Sequence, residues 1–189
     1  MKARCVWAEE TSFFYDYHDK EWGRPVHDDI KLFEMLILEG AQAGLSWLTI
    51  LKKREAYREA FDGFDPEKVA FYDEGKIEEL LQNPGIVRNR LKVRSAVTNA
   101  RLFLEVQKNH GSFDKFIWSY VDHKPIVNRV EKIEDFPVTT PISDKISKDL
   151  KKMGFKFVGS TIIYAFMQAI GMVNDHMTCC FLHGEDLTK

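Results

Sequence analysis

A carboxylate, Glu39, stands in the most apolar stretch of the sequence, residues 32–53. Apolar residues fall on almost every side of a helical projection of this stretch, which predicts a core segment surrounded by other helices. Gln42 and Trp47 share the segment, and no cation close in the sequence offsets Glu39. A buried carboxylate is costly unless it is hydrogen-bonded or meets a cation. Glu39 is therefore either a structural acid that caps neighbouring backbone or an acid that binds a ligand.

Two cysteines and two histidines near the ends of the chain form a candidate zinc-binding set. Cys5 and His18 lie near the N-terminus, and His176 and Cys180 lie near the C-terminus. A helical turn would place His176 and Cys180 on one face, and this spacing favours Cys180 over its neighbour Cys179. Two nitrogen and two sulfur ligands make a closed tetrahedral zinc site, which is structural because no position remains for water. Such a site would tie the two ends of the chain together.

The N-terminal segment, residues 5–27, is rich in aromatic residues but has too little periodicity for a long helix. Its rings either cover the helical core or line a pocket for a flat ligand, and the residue types fit both interpretations. The rings are those of Trp7, Phe13, Phe14, Tyr15, Tyr17 and Trp22.

A second informative stretch, residues 80–104, reads as a helix, a glycine hairpin and a helix. The Asn-Pro-Gly sequence at residues 83–85 ends the first helix, and the next begins within a few residues. Such a hairpin can present amide donors at a helix N-terminus, where an anion is stabilised. Four cations lie at its mouth, and they form either a solvated face or contacts with a phosphodiester backbone. These cations are Arg88, Arg90, Lys92 and Arg94.

The rest of the pattern predicts an all-α protein. Gly40 and Gly44 are expected to interrupt the core segment and give a helix, a turn and a helix. Ser143 or Asp144 is expected to cap a basic amphipathic helix. Residues 155–176 are apolar and rich in small side chains, which predicts a second buried helix. No stretch shows the period of a β-strand.

The totals limit the classes of protein. The 189 residues suit one compact unit, and a net charge of −2 gives no bulk cationic field, so any nucleic-acid surface must be local. No apolar run is long enough to span a membrane, and the N-terminus lacks the apolar core of a signal peptide. We therefore expect a cytoplasmic monomer. Three cysteines in a reducing compartment are expected to be thiols or metal ligands.

Four motifs extend over nearly the whole chain: Y-H-D-x-E-W-G-x-P at residues 17–25, L-E-G-A-Q-A-G-L-S-W at 38–47, G-F-K-F-V-G-S-T at 154–161 and G-M-V-N-D-H at 171–176. They resemble those of the bacterial 3-methyladenine DNA glycosylase I family. The resemblance implies an all-helical fold of the helix-hairpin-helix glycosylase superfamily, formed by residues 1–189 as one unit. The two terminal segments would form one lobe, and residues of about 60–150, with the hairpin, would form the other.

The resemblance also implies roles for individual residues. A structural zinc would join the termini through Cys5, His18, His176 and Cys180. The base pocket would contain Glu39 as the catalytic acid group with Tyr17 and Trp47, and Trp7 and Trp22 as further aromatic walls. The DNA backbone would meet Gly85, Arg88, Arg90 and Lys92 of the hairpin. Phe14 departs from a relative that has tyrosine there, which leaves a pocket hydroxyl to Tyr15 or Tyr17.

The implied activity is base-excision repair of alkylated double-stranded DNA. The enzyme would flip 3-methyladenine out of the helix, hydrolyse its N-glycosidic bond and release the free base without cutting the strand. The N3-alkylated base is cationic, so aromatic faces and a carboxylate attract it. Glu39 would either recognise the base edge or orient the attacking water.

Two alternatives share parts of the pattern. A non-enzymatic, zinc-stabilised helix-hairpin-helix DNA-binding module would have the hairpin and the metal site but no use for Glu39. A zinc hydrolase would require an open metal site, against which four protein ligands argue.

Overall fold

A computed structural model describes residues 3–185 and 187. The predicted unit 1–189 also includes residues 1, 2, 186, 188 and 189, which lie outside this description. The α-helices are α1 (Tyr15–Lys20), α2 (Asp29–Gln42), α3 (Trp47–Ala60), α4 (Pro66–Val69), α5 (Glu74–Gln82), α6 (Arg90–His110), α7 (Phe113–Trp118), α8 (Pro141–Met153) and α9 (Ser160–Ala169). Short 3₁₀ turns cover Val6–Glu10, Ser12–Phe14, Asp62–Phe64, Ser119–Val121 and Ile133–Asp135. The chain is mostly helical, as predicted.

Helix α2 lies at the centre of the fold and contacts α3, α6, α7 and α9. It begins at its N-cap Asp28, whose carboxylate accepts a hydrogen bond from the Lys31 amide at 2.9 Å. Every residue from Leu32 to Ala41 is buried, which confirms the predicted core helix. Helix α3, the second part of the predicted core segment, is not buried on all sides. Its buried residues are Ile50, Arg54 and Tyr57.

The two glycines of the core segment behave differently. Gly44 has φ +77 and forms the turn between α2 and α3. Gly40 lies inside α2, so the predicted interruption there is wrong. A Cβ at Gly40 would lie 3.2 Å from the Cβ of Phe157, so the glycine allows the close approach of the segment before α9.

Two further predictions about elements are wrong. Helix α8 begins at Pro141 rather than at Ser143 or Asp144, since Thr140 caps it and proline suits the first helical position. Two short strands also form, and they pair in parallel through Ile126 with Val173 and Val127 with Asn174; these are β1 (Ile126–Val127) and β2 (Val173–Asn174). Two residues are too few to show the two-residue period of a strand in a sequence.

The N-terminal and C-terminal segments lie against each other. The Phe181 amide donates to the Ala3 carbonyl at 2.8 Å, and the Met177 amide donates to Cys5 Sγ at 3.3 Å. The division into two lobes, with residues of about 60–150 in one, stays a prediction. None of the helices in the described part of the chain is long and apolar enough to cross a lipid bilayer.

Candidate active site

A pocket of about 280 Å³ opens beside the last turn of α2. This volume is near the lower end of the range for small-molecule sites, roughly 300 Å³. Its walls come from the N-terminal aromatic segment, α2, α3, the loop before α8 and α9. The lining residues are Trp7, Tyr17, Trp22, Glu39, Gln42, Trp47, Ile133, Phe136, Pro137, Ala165 and Gln168. Most of the wall is therefore aromatic, and the polar groups are one carboxylic acid, two amides and the polar ends of the aromatic residues.

Glu39 is the acid of this pocket. Its side chain is buried, and its Oε2 has no hydrogen-bond partner among the described residues. Burial raises the pKa of Glu39 from the ordinary 4.5 to about 8. The other buried acid of α2, Glu34, is paired: Arg54 Nε donates to its Oε1 at 2.6 Å and Arg58 Nε at 2.9 Å. Burial acts to raise the pKa of Glu34, but these two cations outweigh it and lower this pKa. Glu39 is thus not a structural acid of the same kind.

The four predicted aromatic rings line the pocket together with Glu39. The ring centroids of Tyr17 and Trp47 are 5.4 Å apart, and those of Trp7 and Trp22 are 4.9 Å apart with their planes at 73°. Trp47 Nε1 is buried without a partner among the described residues. Burial, followed by the charge of Glu39, raises the pKa of Tyr17 well above its usual value, so its hydroxyl stays protonated. The structure brings all five predicted pocket residues together.

The remaining rings of the aromatic segment do not line the pocket. Phe14 packs edge-on against Trp7 with ring centroids 5.5 Å apart, and Phe13 is exposed. The Tyr15 hydroxyl donates to Glu9 at 3.2 Å, and its ring lies under the Arg4 guanidinium. Tyr17 therefore supplies the tyrosine hydroxyl of the pocket. Both interpretations of the segment hold, because some rings cover the core and others form the site.

Three of the four predicted metal ligands form one buried cluster. Cys5 Sγ, a ring nitrogen of His18 and Cys180 Sγ all lie within 4.8 Å of one another. Cys180 is buried within this cluster, whereas Cys179 is exposed. His176 stands beside this cluster, with its ring centroid 5.0 Å from that of His18. Its Nε2 is buried without a partner among the described residues.

Both histidines are held in one ring orientation through Nδ1. His18 Nδ1 lies 2.8 Å from Asp19 Oδ1, and His176 Nδ1 lies 2.8 Å from Asn174 Oδ1. Such hydrogen bonds fix the tautomer of metal-binding histidines and leave Nε2 for the ion. The helical turn predicted for residues 176–180 is wrong, since they follow β2 in turns. The Cys180 amide donates to the Met177 carbonyl at 2.7 Å, and this turn brings Cys180 to the cluster.

The predicted hairpin forms between α5 and α6, and several of its amides donate hydrogen bonds within the protein. The Gly85 amide donates to Asn83 Oδ1 at 2.8 Å, and the Val87 amide donates to the Tyr57 hydroxyl at 3.1 Å. A Cβ at Gly85 would lie 2.7 Å from the Cβ of Ala56. Gly85 is therefore required for the packing of the hairpin on α3, whatever it contacts in DNA.

The four cations of the hairpin have different partners. Arg90 pairs with Glu78, and Arg94 pairs with Glu74. Lys92 Nζ donates to the carbonyl oxygens of Ala41 at 2.8 Å and Ala43 at 2.6 Å, so it caps the end of α2, a role that the sequence did not indicate. Arg88 is exposed, and no ion pair with it is found in residues 3–185 and 187. The phosphate contacts of Gly85, Arg88, Arg90 and Lys92 stay predictions, and Arg88 is the best placed of the four.

A family model described as methyladenine glycosylase matches residues 7–183. The chain belongs to this family. It is 52% identical over 180 residues to a DNA-3-methyladenine glycosylase of Haemophilus influenzae, covering 95% of this chain and 97% of the relative. It is 51% identical to DNA-3-methyladenine glycosylase 1 of Escherichia coli, covering 94% and 96%. A crystal structure of a 3-methyladenine DNA glycosylase I, 51% identical, superposes with a TM-score of 0.93 over 96% of this chain and all of that one.

Several pocket residues of this methyladenine glycosylase were not predicted from its sequence. Phe136 and Pro137 lie in a loop with no regular pattern, and Gln168 and Ala165 lie in an apolar helix. The Phe136 ring is 6.4 Å from that of Trp22, so it extends the aromatic wall. The one available signal was a polar Gln168 among the apolar residues of α9. It resembles Gln42 in α2, which the sequence did indicate.

Replacement of Glu39 should change how stability depends on pH. The folded protein keeps the Glu39 proton up to about pH 8, whereas the unfolded chain releases it above its ordinary pKa of 4.5. The folded state therefore binds more protons between these values, and rising pH favours unfolding. Glu39→Gln should match the natural protein most closely below about pH 4.5, where Glu39 is protonated in both states, and gain on it by up to about 5 kcal/mol above pH 8.

Thermal unfolding of both proteins at several pH values measures this difference. A Glu34→Gln variant serves as the control, because Glu34 is ion-paired and its pKa is lowered. A stability difference between Glu39→Gln and the natural protein that does not change between pH 5 and pH 9 would contradict the raised pKa.

Proposed function

We propose that this protein removes 3-methyladenine from alkylated double-stranded DNA by hydrolysis of the N-glycosidic bond. The observation that carries the proposal is the unpaired, buried Glu39 in a pocket walled by Tyr17, Trp7, Trp22 and Trp47. A base reaches such a pocket only after it has left the stack, so the reaction requires base flipping. The relatives from Haemophilus influenzae and Escherichia coli, which this chain matches over nearly their whole length, are DNA-3-methyladenine glycosylases.

The pocket suits a cationic base better than a neutral one. In the empty pocket, a pKa of about 8 keeps Glu39 mostly protonated at neutral pH. A cationic ring beside it favours the carboxylate, since an opposite charge stabilises the ionised form. The flanking rings attract the same positive charge through their faces. Unmodified adenine is neutral and gains neither interaction. The pocket can therefore select the alkylated base without excluding adenine by its shape.

Two solved relatives support roles for Tyr17 and Glu39. One is a 3-methyladenine DNA glycosylase I with a tyrosine replaced by phenylalanine, in complex with 3-methyladenine. The other, from Staphylococcus aureus, has a glutamate replaced by glutamine. The two replaced residues are separated in the sequence by the same number of positions as Tyr17 and Glu39 in this chain. We assign Tyr17 and Glu39 to the edge of the base, and Trp47 with the other tryptophans to its faces.

The chemical step needs little acid catalysis. As the bond between the base and the sugar C1′ breaks, its electron pair neutralises the cationic base, which leaves as free 3-methyladenine. Water forms the new bond to C1′, and its proton passes to Glu39 or to solvent. Strand cleavage requires an amine nucleophile that forms a Schiff base, and the described lining of the pocket contains no lysine. The enzyme is therefore monofunctional.

The DNA contacts lie on two turns next to the pocket. Arg88 and the start of α6 face outward at the hairpin and hold a phosphate. Leu45, 43% exposed in the turn between α2 and α3, is an apolar side chain between Gln42 and Trp47 of the pocket. We assign Leu45 to fill the gap that the flipped base leaves in the stack.

The metal cluster is structural in this proposal, and its residues fit zinc. Zinc–thiolate and zinc–imidazole bonds of roughly 2.0–2.3 Å hold tetrahedral ligand atoms within the observed spacing of Cys5, His18 and Cys180. The unpartnered Nε2 of His176 supplies the fourth ligand. Zinc there would join the two ends of the chain and hold the aromatic segment in place. Thiolate ligands suit the reducing cytoplasm, where we expect the enzyme to act as a monomer.

The first test is release of free methylated purines from methylated duplex DNA, resolved by chromatography. The natural protein should free 3-methyladenine selectively, and Glu39→Gln should slow this release by about 10²-fold or more while DNA binding persists. Folding of the variant is checked by thermal unfolding. If the folded natural protein frees no base, the non-enzymatic DNA-binding module is the better account.

Arg88 should make the largest electrostatic contribution of the hairpin to DNA binding. Arg88→Ala should weaken binding to undamaged duplex DNA and lower the slope of log affinity against log salt by about one, because one phosphate contact is lost. Lys108→Ala is the matched control, since Lys108 is exposed near the opposite end of the 21-residue α6. Equal salt slopes for the natural protein and Arg88→Ala would remove Arg88 from the interface.

The metal site can be tested by paired cysteine variants. Cys180→Ser should lose the bound metal and unfold at a lower temperature, whereas Cys179→Ser should keep both properties because Cys179 is exposed outside the cluster. The cobalt-substituted natural protein should show a four-coordinate spectrum with thiolate bands. A five-coordinate spectrum with bound water would restore the zinc hydrolase alternative.

A further inference from the structure

Asp175 is a buried carboxylate outside the pocket that the proposed chemistry does not use. It is fully buried, and no ion pair with it is found in the described part of the chain. Its Oδ1 accepts a hydrogen bond from Asn128 Nδ2 at 2.6 Å. Its Oδ2 accepts from the Tyr164 hydroxyl at 2.7 Å and from Gln168 Nε2 at 2.8 Å. Asp175 is thus held by three neutral donors, and one of them belongs to the pocket wall.

These contacts fix which end of the Gln168 amide faces the ligand. Burial and the charge of Asp175 raise the pKa of Tyr164, so its hydroxyl stays protonated and donates. With Oδ2 as the common acceptor, the atom of Gln168 nearest to Asp175 must be the amide nitrogen. The carbonyl oxygen of Gln168 is then the acceptor that this side chain can offer in the pocket that it lines. Without Asp175, the amide could turn over and offer a donor instead.

The same carboxylate also anchors a second wall. Asn128, which donates to Asp175, is the residue after β1, and its amide donates to the Asn174 carbonyl at 3.0 Å. The loop that follows it carries Phe136 and Pro137 of the pocket. Asp175 therefore sets the position of α9 and of this loop together.

We propose that Gln168 determines which methylated purine the enzyme accepts, and that Asp175 is the positioning residue that keeps the acceptor oxygen of Gln168 available to the base. This inference rests on the proposed glycosylase function. Adenine carries an amino group at ring position 6, whereas guanine carries a carbonyl oxygen there. The amide oxygen of Gln168 can accept a hydrogen bond from the amino group of adenine. Opposite the carbonyl oxygen of guanine, both acceptors stay unpaired, and this costs free energy in a site without water. The ligand class is thus an N3-methylated purine with an exocyclic amino group at position 6.

The test compares release of 3-methyladenine and of 3-methylguanine from the same methylated duplex DNA. Gln168→Met keeps the length of the side chain and removes the acceptor amide. It should lower the ratio of the 3-methyladenine release rate to the 3-methylguanine release rate by about tenfold. The adenine base loses a hydrogen bond, and the guanine base no longer faces a mismatched acceptor. Gln107→Met is the matched control, since Gln107 Nε2 also donates to a carboxylate, that of Asp29 at 2.7 Å, away from the pocket. It should leave the ratio unchanged.

Asp175→Asn separates positioning from structural support. It should lower the same ratio, and in a Gln168→Met background it should lower the ratio no further, because Asp175 acts through Gln168. Where a variant is too slow to assay, the ratio of the dissociation constants of the two free bases, followed by tryptophan fluorescence, replaces the rate ratio.

Three outcomes decide the inference. A folded Gln168→Met protein with an unchanged ratio removes Gln168 from base selection. A further fall of the ratio in the double variant removes Asp175 as its positioning residue. Failure of the natural protein to release any base defeats the proposed function itself, which the wild-type assay shows separately from either ratio.

Discussion

The candidate site depends on one constraint, which is that Glu39 stays buried without a protein cation. Such a group costs free energy, and it keeps this environment because the helix that carries it is packed among other helices. Helix α2 meets this condition because α3, α6, α7 and α9 surround it. Glu34, five residues earlier in the same helix, shows the ordinary solution, with Arg54 and Arg58 as partners. The contrast supports the proposal that Glu39 binds a ligand.

The pocket above Glu39 exists only when the two ends of the chain meet. Trp7, Tyr17 and Trp22 arrive from the N-terminal segment, and the β1–β2 pair and the Cys–His cluster hold the C-terminal segment beside them. Trp22 links the cluster to the pocket, because its ring lies 4.8 Å from that of His176 and also lines the cavity. The Cys–His cluster and the pocket are in this way parts of one assembly.

The hairpin and the pocket are joined at the end of α2. Lys92, in the first turn of α6, donates to the carbonyls of Ala41 and Ala43, which follow Glu39 and flank Gln42. A positive group there stabilises the negative end of the helix dipole. The start of α6 thereby also fixes the backbone next to the pocket acid. Gln168, in the pocket wall, is likewise held by its hydrogen bond to Asp175, so these pocket groups are fixed by contacts within the protein.

The sequence by itself determined the helical class, the buried α2, the residues Glu39, Tyr17 and Trp47, and the hairpin, because each depends on local periodicity or on motifs read along the chain. It also indicated Cys5, His18, His176 and Cys180 as a set, of which Cys5, His18 and Cys180 cluster in the structure. Only the tertiary structure decided which rings line the pocket, that Phe136 and Gln168 join it, and that Lys92 binds α2. Those contacts join residues distant in the sequence, and no local pattern records them. The β1–β2 pair is of the same kind, since Ile126–Val127 and Val173–Asn174 become partners only when the chain folds.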